Sequence, residues 1–408
     1  MITKKVSSIV KVLLLFISIF AFLLIHTPVF AEVHTGLDVL VQSGFAPLHG
    51  KRVGIVLNQT SVDAQSRWIV ELLLADSSIH IAALFAPEHG IRGELDRRFG
   101  NERDPSTGIM VYSLYGETLK PTDEMLRGLD VLVFDLQDVG ARYYTYIAAL
   151  AWVMEAAARN SVPVVVLDRP NLTGAGKVSG GIPDAGDTHR HTSIFPIPTQ
   201  HGMTIGELAA MFNEHFEIRA ALQVIPMEGF QRDDDFENMG LPWVNPSPNI
   251  RSIETARLYV NLGILESANL SVGRGTDRPF YFYGAPWIDS KKWLERIAAR
   301  GGLEGLAIKE AHFSPTNSVY SGELCHGLEV AALDRSKRQS FAAAIVLLET
   351  LVELYPKKLN LANTWIMAGD RRFPRWIREQ LNPREILKLW DQKIASDFLE
   401  VRKKYLRY

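Results

Sequence analysis

The chain has a single cysteine, Cys325, among 408 residues. That excludes an internal disulfide framework, a cysteine-rich zinc site and an iron–sulfur cluster. It also lacks any long run of one charge: 44 Lys and Arg stand against 46 Asp and Glu, a formal balance of −2. A nucleic-acid binder working through a basic face is therefore excluded. No Gly-x-Ser-x-Gly elbow and no His-Glu-x-x-His helix occurs, which sets aside the common serine hydrolase and zincin signatures. A glycine fingerprint is missing too. The first apolar run, Val53–Leu57, is followed by Asn58-Gln59-Thr60, and Gly174-Ala175-Gly176-Lys177-Val178 has valine where a phosphate loop needs a hydroxyl. Neither a nucleotide nor any other cofactor is called for.

What is present is a globular composition, 47% hydrophobic and 22% charged, on a chain long enough for two or three domains. Lys4, Lys5 and Lys11 precede an apolar stretch from Val12 to Ile25, broken only by Ser18, and Val29-Phe30-Ala31 supplies small residues around a cleavage point. Residues 1–31 read as a secretory signal peptide, since a span would need about 20 apolar residues. An uncleaved N-terminal anchor is the competing reading. Removing the segment takes away three lysines and no acid, so the mature chain is mildly acidic at −5. The expected location is secreted or periplasmic, with no membrane span after cleavage.

From residue 32 to about 245, short β-branched runs alternate with helical stretches. The runs are Val53–Leu57, His80–Phe85, Met110–Tyr112, Val131–Phe134 and Val162–Leu167. They are apolar without alternation, as expected of parallel strands buried on both faces. Helices are predicted over Ser66–Ala75, Arg142–Asn160 and Thr204–Phe216. Three prolines, Pro242, Pro246 and Pro248, then fall within seven residues, where neither a helix interior nor a central strand can continue. Residues 246–408 are read as a smaller α+β domain ending in a helix capped by Asn382-Pro383.

Ligands bind beyond the carboxyl ends of the strands in an open parallel sheet, so those ends locate the candidate site. The second run leads into Ala86-Pro87-Glu88-His89-Gly90-Ile91-Arg92, the fourth into Asp135-Leu136-Gln137-Asp138 and on to Arg142-Tyr143-Tyr144-Thr145-Tyr146, and the fifth into Asp168-Arg169. Each delivers a carboxylate and an arginine. Glu88, fixed between a proline and a glycine above an apolar strand, suits a general acid with a raised pKa; the competing reading pairs it with Arg92. Asp135 and Asp138 are either catalytic or caps of the following helix. Tyr143 and Tyr146 either stack on a sugar face or pack in the core. The second domain offers Asn249, Glu266 and Arg274, the last flanked by Gly273 and Gly275, with a guanidinium suited to a carboxylate. An inter-domain ion pair would also account for that arginine. A metal site built on His89, His201 and Asp138 stays open, as does His189-Arg190-His191, which otherwise reads as a solvated loop.

These stretches resemble the exo-acting β-N-acetylmuramidases, a glycosidase family long known only as a domain of unknown function. The likeness is carried by Pro87-Glu88-His89-Gly90, Ser113-Leu114-Tyr115-Gly116, Phe134 to Tyr146, Leu167-Asp168-Arg169-Pro170-Asn171, His201 to Leu208, Pro246-Ser247-Pro248-Asn249 and Gly273-Arg274-Gly275-Thr276. It implies a Rossmann-like first domain, a cleft against the second, release of N-acetylmuramic acid from non-reducing ends of peptidoglycan fragments, and a catalytic glutamate at Glu88. Glycoside cleavage needs an acid for the leaving oxygen and a second group for the oxocarbenium-like centre. Asp135, Asp138, Glu266 and the substrate's own acetamido oxygen are the candidates for that second group. Muramic acid adds a lactyl carboxylate, for which Arg92, Arg142 and Arg274 are the candidate cations, with His89, Tyr143 and Asn249 as further substrate contacts. A metal-dependent hydrolase or deacetylase, and a non-catalytic exported sugar-binding protein, are the alternative functions.

Overall fold

A computed structural model describes residues 32–95, 97–333 and 341–408; the signal segment predicted at 1–31 lies outside the described residues. Each of the five apolar runs forms a strand: β1 (Arg52–Leu57), β2 (His80–Ala86), β4 (Met110–Ser113), β5 (Val131–Asp135) and β6 (Val164–Leu167). The spacing missed two edge strands, the two-residue β3 (Glu102–Arg103) and β7 (Leu222–Ile225). Only Ile225 of β7 is fully buried, so its apolar signal is weak.

The sheet runs β3-β4-β2-β1-β5-β6-β7, parallel throughout except for β3 against β4. Without β3 this is the 3-2-1-4-5-6 order of doubly wound dinucleotide-binding sheets. The crevice such sheets offer lies between β1 and β5, where the strand order reverses. Here it is filled from within: the Asn58 amide donates to the Tyr146 hydroxyl at 2.9 Å, and the Ser61 hydroxyl donates to the Asp135 carbonyl at 2.5 Å.

The predicted helices appear as Ile69–Leu74, Tyr146–Arg159 and Ile205–Glu214. The second begins four residues later than Arg142, because Ala141 bridges to Gln200 and the Arg142 amide donates to the Thr199 carbonyl at 2.7 Å. Backbone committed sideways cannot enter a helical turn.

The smaller lobe carries an antiparallel sheet, β8 (Phe282–Ala285), β10 (Cys325–Ala332) and β9 (Leu306–Phe313) in that spatial order. A mostly buried helix, Phe341–Leu354, packs against helices Ser290–Arg300 and Ile253–Leu262 of the same lobe. The Asn382 side chain caps Pro383–Asp397, which buries Ile386, Trp390 and Ile394 on one stripe. One hydrophobic core, from Phe85 and Phe134 to Tyr283 and Leu328, runs through both lobes. The final residues return to the first lobe, where the Tyr408 hydroxyl donates to Asp168 Oδ2 at 2.7 Å. No helix among the described residues is long and apolar enough to cross a membrane.

Candidate active site

Beyond the carboxyl end of β2 the chain turns sharply. His89 and Gly90 both have left-handed backbone, with φ of 76° and 78°. Glycine accepts this freely; histidine does so at a cost, a kind of strain concentrated at functional sites. The His89 ring secures the turn through Nδ1, 2.7 Å from the Leu95 carbonyl. The turn leaves Glu88 half-buried and lining a cleft of about 820 Å³ of empty space, open solvent included. Thr145 stands at the N-cap of helix Tyr146–Arg159 but makes no capping bond. Its hydroxyl instead donates to Glu88 Oε2 at 2.8 Å. The predicted pairing of Glu88 with Arg92 does not form: Arg92 turns away to Asp104 at 3.2 Å and lies 4.3 Å over the Trp68 ring.

The second lobe closes the cavity with Glu266, Arg274, Tyr259 and Phe280. Gly273 and Gly275, both at φ 77°, turn the chain on either side of Arg274. The guanidinium engages Glu266 with Nε on Oε1 and Nη2 on Oε2, the latter at 3.2 Å, and sits 5.2 Å from the Phe280 ring centre. The competing reading of Arg274 as an inter-domain ion pair does not hold: its partner Glu266 belongs to the same lobe, at the wall of the cavity. From the first lobe, His191 is stacked 5.6 Å from Trp152 and tilted against Tyr115 at 5.6 Å. Burial pulls its imidazole below the ordinary histidine range, against the opposing charge of Glu88.

Of the residues singled out from the sequence, Glu88, His89, Tyr143, Glu266 and Arg274 meet at this cavity. Asp135, Asp138, Arg92, Arg142 and Asn249 are not among its lining residues. Asp135 is fully buried in a two-point ion pair with Arg169, Oδ1 to Nε at 2.5 Å and Oδ2 to Nη2 at 2.9 Å. Asp138 Oδ2 accepts the Gly140 amide at 2.7 Å and lies 3.2 Å from His201 Nε2; it ties a turn and does not cap the helix. Arg142 is wholly buried on main-chain carbonyls. Asn249 is buried beside the cavity residues Ser247 and Ile250, to which its loop is bridged. Tyr143 supplies ring surface only, since its hydroxyl donates to the Tyr259 and Val260 carbonyls at 2.8 Å each. The three-ligand set of His89, His201 and Asp138 does not assemble: no group of three or more His, Cys, Asp or Glu side chains suited to a metal occurs among the described residues.

Sequence reasoning missed Tyr115, Tyr144, Thr145, Thr192 and Tyr259, all of which line the cavity, and offered His191 only as a metal ligand or part of a solvated loop, whereas it too lines the cavity. Tyr115 lies two residues beyond β4, so the strand-end rule that located Glu88 could have found it. For His191 the paired histidines of His189-Arg190-His191 are the one signal, and they point to a metal and not to this cavity.

A carboxyl-bearing cleft walled by aromatic rings, between a doubly wound sheet and a smaller lobe, suits an α/β glycosidase. Residues 53–254 match the family model described as exo-beta-N-acetylmuramidase NamZ, N-terminal, and residues 257–408 match its C-terminal counterpart. The chain belongs to the exo-β-N-acetylmuramidase NamZ family, and it is an exo-acting glycoside hydrolase. It is 40% identical over 386 residues to the peptidoglycan beta-N-acetylmuramidase NamZ of Bacillus subtilis strain 168, covering 92% of each chain. Two solved DUF1343 family proteins from Bacteroides fragilis NCTC 9343 share the fold. One is 33% identical with a TM-score of 0.83, over 93% of this chain and 99% of the other; the second is 28% identical with a TM-score of 0.75, over 92% and 99%.

Proposed function

We propose that the protein removes N-acetylmuramic acid from the non-reducing ends of peptidoglycan-derived saccharides, with Glu88 as the acid that protonates the departing oxygen. The observation that carries this reading is the Glu88 carboxyl, held at the cavity by the Thr145 hydroxyl at 2.8 Å. With Oε2 so engaged, Oε1 is the oxygen presented to the glycosidic bond. Asp135 and Asp138, locked in the scaffold, leave two candidates for the second group: Glu266 and the substrate's acetamido oxygen. Glu266 has both oxygens on Arg274, so its role is to fix that cation, and the acetamido oxygen attends the anomeric centre. Incubation of the purified chain with muramyl-glucosaminyl disaccharide, followed by mass analysis, tests the reading. Free N-acetylmuramic acid and N-acetylglucosamine are the expected products, and unchanged disaccharide overturns it.

Arg274 is the arginine of the three candidates that lines the cavity, and it is assigned to the lactyl carboxylate. A hydrogen bond to a charged group is worth about 1.5–3 kcal/mol. Arg274→Ala is accordingly expected to lower the preference for muramyl over glucosaminyl substrates by about tenfold or more. Equal losses on both substrates would refute the assignment. Treatment with EDTA is expected to leave the rate unchanged, because protonation by Glu88 needs no metal; a rate restored only by added zinc would count against this chemistry. Residues 1–31 are proposed to export the chain, which places the enzyme on the side of the membrane where peptidoglycan lies. Cell fractionation with and without the segment checks this.

A further inference from the structure

Three tyrosines follow β5 within four residues: Tyr143, Tyr144 and Tyr146. All three are at least nine-tenths buried, yet their hydroxyls differ. That of Tyr143 is spent on the Tyr259 and Val260 carbonyls. That of Tyr146 donates to the Pro246 carbonyl at 2.9 Å and accepts the Asn58 amide at 2.9 Å. The Tyr144 hydroxyl makes no well-formed hydrogen bond among the described residues, with the Tyr146 hydroxyl and Asp138 as its polar neighbours, although its residue is only 6% exposed and lines the cavity. Its ring is held in place from two sides, 4.7 Å from Tyr146 and 6.1 Å from Tyr259. A buried hydroxyl without a well-formed hydrogen bond is costly, and a polar group entering from the cavity relieves that cost.

We propose that Tyr144 is a substrate-positioning residue whose hydroxyl donates to the 2-acetamido group of the sugar that Glu88 protonates. The inference rests on the glycosidase reading of the cleft and adds to it the residue that recognises the N-acetyl group. Two observations choose the acetamido over the lactyl substituent. Tyr144 lines the same cavity as Glu88 and Thr145, whose hydroxyl holds the Glu88 carboxyl, so its phenol and the acid serve one bound sugar. On the sugar, the acetamido-bearing carbon is bonded to the anomeric carbon, whereas the lactyl-bearing carbon is one bond further away. The lactyl carboxylate is then left to Arg274 on the other lobe. Burial also lifts the proton affinity of the Tyr144 phenol well above the ordinary tyrosine range. The group therefore stays neutral and acts as a donor, which suits an amide carbonyl. A donor there would also hold the acetamido oxygen in place for its part at the anomeric centre.

The test is Tyr144→Phe in the mature chain, which removes one oxygen and leaves the ring packing intact. The thermal midpoint is expected to stay within about 2 °C of the parent. Calorimetric binding of N-acetylmuramic acid should weaken about tenfold, while binding of muramic acid, which lacks the acetyl group, should not change. On the disaccharide kcat/KM should fall about 10- to 100-fold. Three results would each overturn the assignment: an unaltered ratio of the two binding constants, full turnover by the variant, or a fall of the midpoint by many degrees. The last would show that the hydroxyl serves the fold, for instance through the nearby Asp138. Because the binding arm needs no turnover, parent protein that binds the sugar but releases none would sink the glycosidase reading alone.

Discussion

Glu88→Gln is expected to lower kcat on muramyl-glucosaminyl disaccharide by about a thousandfold, within the roughly 10²–10⁴ range for removing a positioned general acid. The amide has the shape of the carboxyl, and its oxygen can still accept from Thr145 Oγ1, 2.8 Å away in the parent. Folding and sugar binding should therefore survive, which an unchanged thermal midpoint and a retained Kd would report. The substrate decides which role is lost. A sugar alcohol is a poor leaving group and needs its oxygen protonated, whereas a nitrophenolate leaves almost unaided. An acid at position 88 thus predicts a much smaller loss on a 4-nitrophenyl muramide than on the disaccharide. Equal losses on the two would make Glu88 the nucleophile, and wild-type turnover of the disaccharide by the variant would remove it from the reaction.

The same carboxylate-and-arginine pattern at three strand ends has three different outcomes, and the difference is physical. At β2 the neighbouring arginine is drawn to Asp104 and Trp68, which leaves Glu88 to the cavity. At β5 and β6 the partners come from the adjacent strand end or from distant chain. Asp135 is neutralised by Arg169. Asp168 accepts the Thr204 hydroxyl at 2.9 Å, the Gly206 amide at 2.8 Å and the Tyr408 hydroxyl at 2.7 Å. Burial raises the Asp168 carboxyl to about 6. The stretch His201 to Leu208, part of the family likeness, also serves as scaffold: Thr204 and Glu207 form a capping box, and Glu207 is ion-paired to Arg232. Charge density at strand ends marks where polar groups gather. It does not tell a group that faces solvent from one that locks two loops, because the locking partner is brought in by tertiary structure. Local restrictions were more legible. The proline before Glu88, the glycine after His89 and the glycines around Arg274 are backbone requirements, and they mark the two places where chain is bent to present a side chain. The doubly wound sheet was readable for the same reason, since strands buried on both faces must be apolar throughout. His191 and Tyr259 reach the cavity from a loop and from a helix of the other lobe, and nothing in their local sequence announces that.

Arg142 illustrates the limit most directly, and its removal is the largest stability effect expected. It is wholly buried, and its guanidinium donates to the Thr192 carbonyl at 3.1 Å, the Ile366 carbonyl at 3.2 Å and the Met367 carbonyl at 2.8 Å. No carboxylate is among these partners. Burial lowers the guanidinium to about 10, which keeps it charged at neutral pH, and the last carbonyls of the short helix Thr364–Ala368 are a fitting counterpart for a cation. An apolar replacement would abolish the desolvation cost of the ion but would strand the part-buried Thr192 and Ile366 carbonyls and leave the Met367 carbonyl only the Thr199 hydroxyl at 3.4 Å, at about 1–3 kcal/mol for each group left unsatisfied. The second term is the larger. Arg142→Ala should therefore cost about 3 kcal/mol or more, read as a fall of several degrees in the thermal midpoint and a lower denaturant midpoint. Lysine should rescue little, because one ammonium cannot span three carbonyls that a planar fork reaches together. Thr192 and Met367 both line the cavity, so a folded fraction of the variant should also show reduced kcat/KM on the disaccharide. A midpoint equal to that of the parent would mean that water or relaxed backbone satisfies those carbonyls. Arg142 would then be dispensable to the join between the two lobes.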